Sequence, residues 1–231
     1  MLVTKFDDFD TAQPLLETAL KQWQRLRGND SAAYASTANT LGELFRHRGN
    51  HARAALLFAD SERAYRANNN GKNPAIIWPI INFGNSLDDQ GEFQQAFEQY
   101  DRALKIAKGL PDSEMDLASI RLTTASTLIA LGRYEQALEL ASQSLSYTRV
   151  HNPPDHPMVV NALKWIGFAH FGLGDKAKAT VAWSEALERA PRAFAHLPRA
   201  VVDLRKAIAD PEAVRDEFAR RALHKLHTTK G

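Results

Sequence analysis

Apolar positions along this chain recur three and four residues apart, the spacing that puts them on one face of a helix with 3.6 residues per turn. They fall into matched pairs of runs separated by a glycine. Four segments carry the same pattern: Leu41-Gly42, Phe45, Gly49, Ala54, Phe58, Ser61; then Phe83-Gly84, Leu87, Gly91, Ala96, Tyr100, Ala103; then Thr124-Ala125, Leu128, Gly132, Ala137, Ala141, Ser144; then Ile166-Gly167, His170, Gly174, Ala179, Trp183, Ala186. The punctuating glycines Gly49, Gly91, Gly132 and Gly174 stand 42, 41 and 42 residues apart. A glycine there ends one helix in the left-handed conformation, and Asn50 and Asp175 directly after it are side chains suited to cap the next. The small residues Gly42, Gly84, Ala125 and Gly167 mark close approach of two helix backbones, as do Ala54, Ala96, Ala137 and Ala179 on the second helix. Phe45, Phe58, Phe83, Phe93, Tyr100, Tyr134, Ile166 and Trp183 fill the space between hairpins. One hairpin alone cannot bury its stripe, so stacking supplies the stability. The expectation is all-α: a solenoid of antiparallel helical hairpins with eleven helices and no sheet.

The pattern divides the chain as one domain over 1–231: a half repeat at 7–27, repeats at 33–69, 75–110, 116–150 and 158–191, and capping helices over 192–231. The half repeat follows from Asp7, one period before Gly49, with Phe9, Ala12, Leu16 and Ala19 at matching spacings. Its partner helix is missing, which leaves Phe6, Phe9, Leu15 and Leu16 as an edge suited to another copy of the chain or to the rest of a longer parent. Pro14 is expected near the first turn of this helix, where a missing N–H costs little. After Pro191 the pattern decays: Ala193–Ala209 reads as one helix and Pro211–Leu226 as another, with Val214, Phe218, Ala222 and Leu226 on one face and basic residues elsewhere, the form of a solubilising cap. The most flexible junction is expected at 68–74, Asn-Asn-Asn-Gly-Lys-Asn-Pro.

These positions resemble the tetratricopeptide repeat, and the 42-residue step resembles the longer variant of kinesin light chains and many bacterial regulators. The run Asn152-Pro153-Pro154-Asp155-His156-Pro157 is similar to the loop between hairpins in that group. The resemblance covers 7–191 and implies an α-α superhelix whose first helices line a concave, peptide-binding groove through set repeat positions. Transferred to this chain, those positions are Ser36, Asn39, Thr40, Glu43, Arg46 and His47; Trp78, Ile81, Asn82, Asn85, Asp88 and Asp89; Ser119, Leu122, Thr123, Ser126 and Ile129; and Asn161, Lys164, Trp165, Phe168 and Phe171. The amides of Asn39, Asn82, Asn85 and Asn161 both donate and accept, which suits an extended backbone. Trp78, Trp165, Phe168 and Phe171 are aromatic anchors, with packing between hairpins the competing role for Trp165 and Phe171. Arg46 and Lys164 are matched to carboxylates. The family's chaperone-tail clamp needs Lys and Asn where the first repeat has Asn39 and Glu43, and glutamate repels a carboxylate. Arg121 stands where sister repeats carry Ala38, Ile80 and Leu163, and needs an acidic partner or a path to solvent.

Composition narrows the function. A net charge of +2, with 44% hydrophobic and 24% charged residues, describes an ordinary folded chain and argues for neither nucleic acid nor an anionic membrane as partner. With no cysteine there is no disulfide and no thiolate chemistry, consistent with a reducing cytoplasm. The opening residues do not read as a signal peptide, and no apolar run approaches a membrane span. No phosphate loop, His-Glu-x-x-His, nucleophile elbow or dinucleotide fingerprint is present, so no catalytic residue, metal ligand or cofactor is assigned. His47 and His51 are separated by Gly49, and His224 with His227 lacks a third ligand; His170 reads as a partly buried filler. The reading is an interaction scaffold that holds an extended protein segment. A peptide- or metabolite-responsive regulator and a structural protein that self-assembles through the N-terminal edge are the alternatives.

Overall fold

The computed structural model describes residues 9–68 and 73–228, with side chains described up to Ala222. Phe6, Asp7, the centre of the asparagine-rich junction and the side chains of His224, Leu226 and His227 lie outside the described residues. Those described form eleven α-helices, one 3-10 turn and no strand, an all-α helical-repeat solenoid. The chain divides into two compact units, Met1–Asp89 and Gln90–Gly231.

The first unit holds α1 (Phe9–Arg27), α2 (Ala32–His47), α3 (His51–Ala67), a 3-10 turn at Pro74–Ile76 and α4 (Ile77–Asp89). Its core joins Leu41, Phe45, Ala54 and Phe58, with Leu16, Leu20, Leu57 and Phe83 packed against them. The second unit holds α5 (Phe93–Ala107), α6 (Glu114–Ala130), α7 (Tyr134–His151), α8 (Pro157–Gly172), α9 (Lys176–Ala193), α10 (Pro198–Ala209) and α11 (Pro211–Thr228). One core there gathers Ala125, Leu128, Ala137, Ala141, Phe168 and Trp183; another gathers Val159, Val160, Leu163, Ala186, Ala190 and Leu204.

Gly49, Gly91, Gly132 and Gly174 all adopt positive φ, between 70° and 82°. At Gly49 the glycine N–H donates to the Arg46 carbonyl and the next N–H, from Asn50, reaches back to Phe45, both at 2.9 Å. The same double closure recurs at Gly132 and Gly174, so one short motif ends the first helix and turns the chain into the second. Asn50 and Asp175 accept from the backbone N–H of Arg53 and Lys178 at 3.2 and 3.0 Å and cap α3 and α9. Gly28, at φ 75°, ends α1 in the same conformation.

Close approach explains the small residues. A Cβ on Gly42 would lie 2.6 Å from the Phe58 ring, and one on Gly167 would lie 2.2 Å from the Trp183 indole. In the third repeat the opposed residues are both alanine, Ala125 and Ala141, and both are fully buried. Ser61 donates its hydroxyl to the Ala35 carbonyl at 2.7 Å, and Ser144 donates to Ala118 at 2.8 Å. A repeat position that reads only as small in the sequence therefore carries a buried bond between paired helices.

Two expectations are corrected. Pro14 lies inside α1, beyond its first turn, so the Asp10 carbonyl loses its usual N–H partner. Ala193–Ala209 is not one helix: α9 runs through Pro191 to Ala193, a turn follows, and α10 starts with Pro198 in its first turn, after Leu197, which as the residue before a proline is disfavoured in the helical conformation.

Candidate functional site

The first unit assembles its polar first-helix positions into a ladder. Asn82 is buried, and its Nδ2 donates to Asn39 Oδ1 at 3.1 Å and to Glu43 Oε1 at 2.5 Å. Asn39 donates to Glu43 at 3.5 Å, and Asn85 donates to the Asn82 oxygen at 3.4 Å. The recurrent asparagines thus bind one another and a carboxylate. This corrects the expectation that Asn82 faces a ligand; the half-buried Asn39 and Asn85 form the outer rim. Arg46 is likewise engaged, with Nη1 2.5 Å from Asp89 Oδ2, so its charge already has a carboxylate. His47 is exposed, contacts Arg46 Nη2 at 3.2 Å and stacks on Phe9 with ring centroids 6.5 Å apart. Partial desolvation, and then the Arg46 guanidinium, hold its pKa below the ordinary histidine value. Trp78 opens to solvent at 42% exposure.

In the second unit α6 and α8 border an open depression of about 280 Å³, lined by Ser119, Leu122, Thr123, Ser126, Met158, Asn161, Lys164 and Trp165. The Lys164 ammonium sits 4.0 Å from the centroid of the Trp165 ring. Burial pulls its pKa down to about 8, and among the described residues no carboxylate pairs with it. Thr123 donates its hydroxyl to the Ser119 carbonyl at 3.3 Å and Ser126 donates to Thr123 at 2.9 Å. These two protons are committed to the helix backbone, and Lys164 and Asn161 add an ammonium and a side-chain amide to the lining. The Trp165 ring is half-buried and tilted against Phe168 at 5.8 Å.

Phe168 itself is placed in the core, 4% exposed, with its edge on Trp183 at 5.2 Å. It is a packing residue and not part of the open face, a second correction. Phe171, half-buried, meets Trp183 at 5.9 Å. Arg121 is half-buried with no acid beside it among the described residues, so a path to solvent accounts for its charge. Of the proposed N-terminal edge, Leu16 packs into the first unit's core, Phe9 lies beneath the Arg48 guanidinium at 5.9 Å, and Leu15 remains 65% exposed. Among the described residues no three His, Asp or Glu side chains gather to hold a metal, and no helix is long and apolar enough to cross a membrane. What sequence reading missed is the seating of α11, whose half-buried Val214 and Phe218 pack against the core of the second unit. The amphipathic stripe was visible in sequence, but nothing there says which surface it covers.

No curated protein is matched by the chain. Among solved structures it is similar to BtubC (BKLC) from P. vanneervenii, at TM-score 0.69 and 18% identity, covering 94% of this chain and 92% of that one. The kinesin-light-chain-like protein of Podosopora anserina, built of nearly identical TPR-like repeats, aligns at TM-score 0.63 and 16% identity, over 80% of this chain and 89% of that chain. NprR, in complex with its cognate peptide NprX, aligns at TM-score 0.62 and 17% identity over 90% of this chain and 62% of its own. At these identities the likeness is one of fold. A family model described as "Tetratricopeptide repeat" matches residues 2–67 and 76–149, and a second of the same description matches 122–197. With the 42-residue step, the glycine closures and the paired helices, these matches show that the chain belongs to the tetratricopeptide repeat family.

Proposed function

We propose that this chain is an interaction scaffold that takes an extended segment of a protein partner on its first-helix face, with an acidic group of that segment at Lys164. Tetratricopeptide repeats in general mediate protein–protein interactions, and the segment's chemistry is the finer part of the reading. One observation carries it: Lys164 is a cation held against Trp165 in an open depression and, among the described residues, given no acid. A desolvated ammonium gains more from an incoming carboxylate than a solvated one does, and Trp165 adds apolar surface beside it. Asn161 provides an amide for the segment's backbone. In the first unit Asn39, Asn85 and the exposed Trp78 offer the same two kinds of contact. NprR, with its cognate peptide, is a precedent in this fold for a peptide ligand.

The test is a display library of short peptides panned against the full chain and against Lys164→Gln. Enrichment of acidic peptides by the wild type, lost in the variant, supports the reading. Equal enrichment by both removes Lys164 from the site.

A further inference from the structure

The last helix is seated unlike the others. Helix α11 follows α10 after a single residue, Asp210, whose carboxylate accepts from the Ala213 N–H at 3.0 Å and caps it. Its contacts run along one stripe, Val214, Phe218 and Arg221, at i, i+4 and i+7. Near its start, Pro211, Val214 and Arg215 face Ile129, Tyr134, Phe168 and Phe171 across a crevice of about 100 Å³. Further along, the Phe218 ring stands edge-on to Phe93, with centroids 5.7 Å apart. The Arg221 guanidinium lies 5.1 Å from the Phe93 centroid. A Cβ on Gly91 would sit 2.3 Å from the Arg221 carbonyl, so the α11 backbone rests directly on the turn that precedes α5.

The two sides of this contact are unequal. With α11 in place, Phe93, Ile129 and Phe168 are 3%, 6% and 4% exposed. Yet no side chain of α11 from Pro211 to Ala222 is itself buried; its stripe is half-covered and the rest is exposed. The helix thus covers an apolar surface of the second unit without being built into its core. Segments held in this way open at free energies well below the global value. What it covers has the form of a groove for an amphipathic helix with anchors one turn apart.

We propose that this surface is a docking site for an amphipathic helix of a partner protein, and that α11 is the chain's own removable occupant. The partner helix carries an aliphatic residue, a Phe four positions on and an Arg three positions after that, the pattern α11 presents. This site takes a helix and is distinct from the depression at Lys164, which takes an extended segment, so either can fail without the other. Because α11 is tethered by one residue, it competes at an effective concentration of the order of millimolar, and a partner binds weakly until the helix is loosened.

The experiment uses the full chain and a fluorescent peptide of residues 210–228 as probe, read by anisotropy against wild type, Phe218→Ala and Arg221→Glu. Both variants are expected to bind the probe at least about tenfold more tightly than wild type, while keeping wild-type helix content. Should Phe218→Ala lose its fold, Arg221→Glu, which leaves no cavity, decides alone. In wild type, α11 amides are expected to exchange with solvent far faster than those of α6. No binding by folded variants, or α11 exchange as slow as that of α6, overturns the proposal. A doubled mass with α11 exchanged between copies overturns the partner and makes the occupant a second copy of this chain.

Discussion

The Asn82 amide donates to the Glu43 carboxylate from the facing helix, 39 residues away, and the same nitrogen reaches Asn39. Two positions in successive repeats are joined by a part-buried polar bond where an apolar contact would serve for packing alone. Asn82→Asp sets a second carboxylate against Glu43 and removes the donor. The expected cost is about 2–3 kcal/mol of stability at neutral pH, partly recovered as the pH falls and one carboxyl takes up a proton. Urea denaturation at two pH values checks both parts. Asn85→Asp, on the half-buried rim, is expected to cost less than half as much.

Lys164 gives a pH-dependent prediction. Its folded pKa, about 8, lies below the ordinary lysine value of 10.5 because burial disfavours the charged form. Below pH 8 the amine is charged in both folded and unfolded chains, and the folded state bears the full desolvation cost. Above the unfolded value it is neutral in both and the cost is gone. Lys164→Met is therefore expected to stabilise the chain by about 2 kcal/mol at neutral pH, with the gain fading between pH 8 and the unfolded value. Thermal melts across that range provide the measurement. A gain independent of pH would assign the effect to packing instead.

The glycine opposite each aromatic ring can be tested by size. Gly167→Ala improves helix propensity by about 1 kcal/mol but drives a methyl group into the Trp183 indole, for an expected net loss of about 1–3 kcal/mol. Combining it with Trp183→Ala reproduces the Ala125–Ala141 pairing of the third repeat. The double variant should then lie well above the sum of the single losses, which a double-mutant cycle of melts reads directly. Strict additivity would mean that the two residues do not constrain each other.

The buried serines predict a smaller effect. Ser61→Ala and Ser144→Ala each remove one bond to a carbonyl that keeps its helical partner, so each is expected to cost about 1 kcal/mol. The alanines Ala103 and Ala186 already occupy this position in the other repeats. Serine introduced at Ala103 should be tolerated.

Most of the architecture was legible because it repeats. A glycine at one repeat position is ambiguous, but Gly49, Gly91, Gly132 and Gly174 at a near-constant step leave one reading, and their positive φ values follow from it. The caps at Asn50 and Asp175 were legible for the same reason. The candidate site was less so. Its helices and positions could be counted out, but whether Asn82 faces a ligand or Glu43 depends on side chains a repeat away that only the stack brings together. Arg46 reads as a free cation until Asp89, 43 residues on, is placed beside it. Phe168 and Trp165 differ by one turn of α8 and carry equal apolar weight in sequence, yet one is core and the other borders the depression. Pro198 shows the limit after the repeats, where the period stops and local proline chemistry decides between one helix and two.

Lys164 lies between two indoles. Trp165 sits under its ammonium, and the Trp183 N–H donates to its backbone carbonyl at 3.2 Å. An anion arriving at the side chain changes the field on the first ring directly, and any shift of the backbone alters the bond to the second. The molecule therefore carries its own optical gauge of occupancy: a change in tryptophan emission on ligand addition, abolished by Lys164→Gln, requires no label.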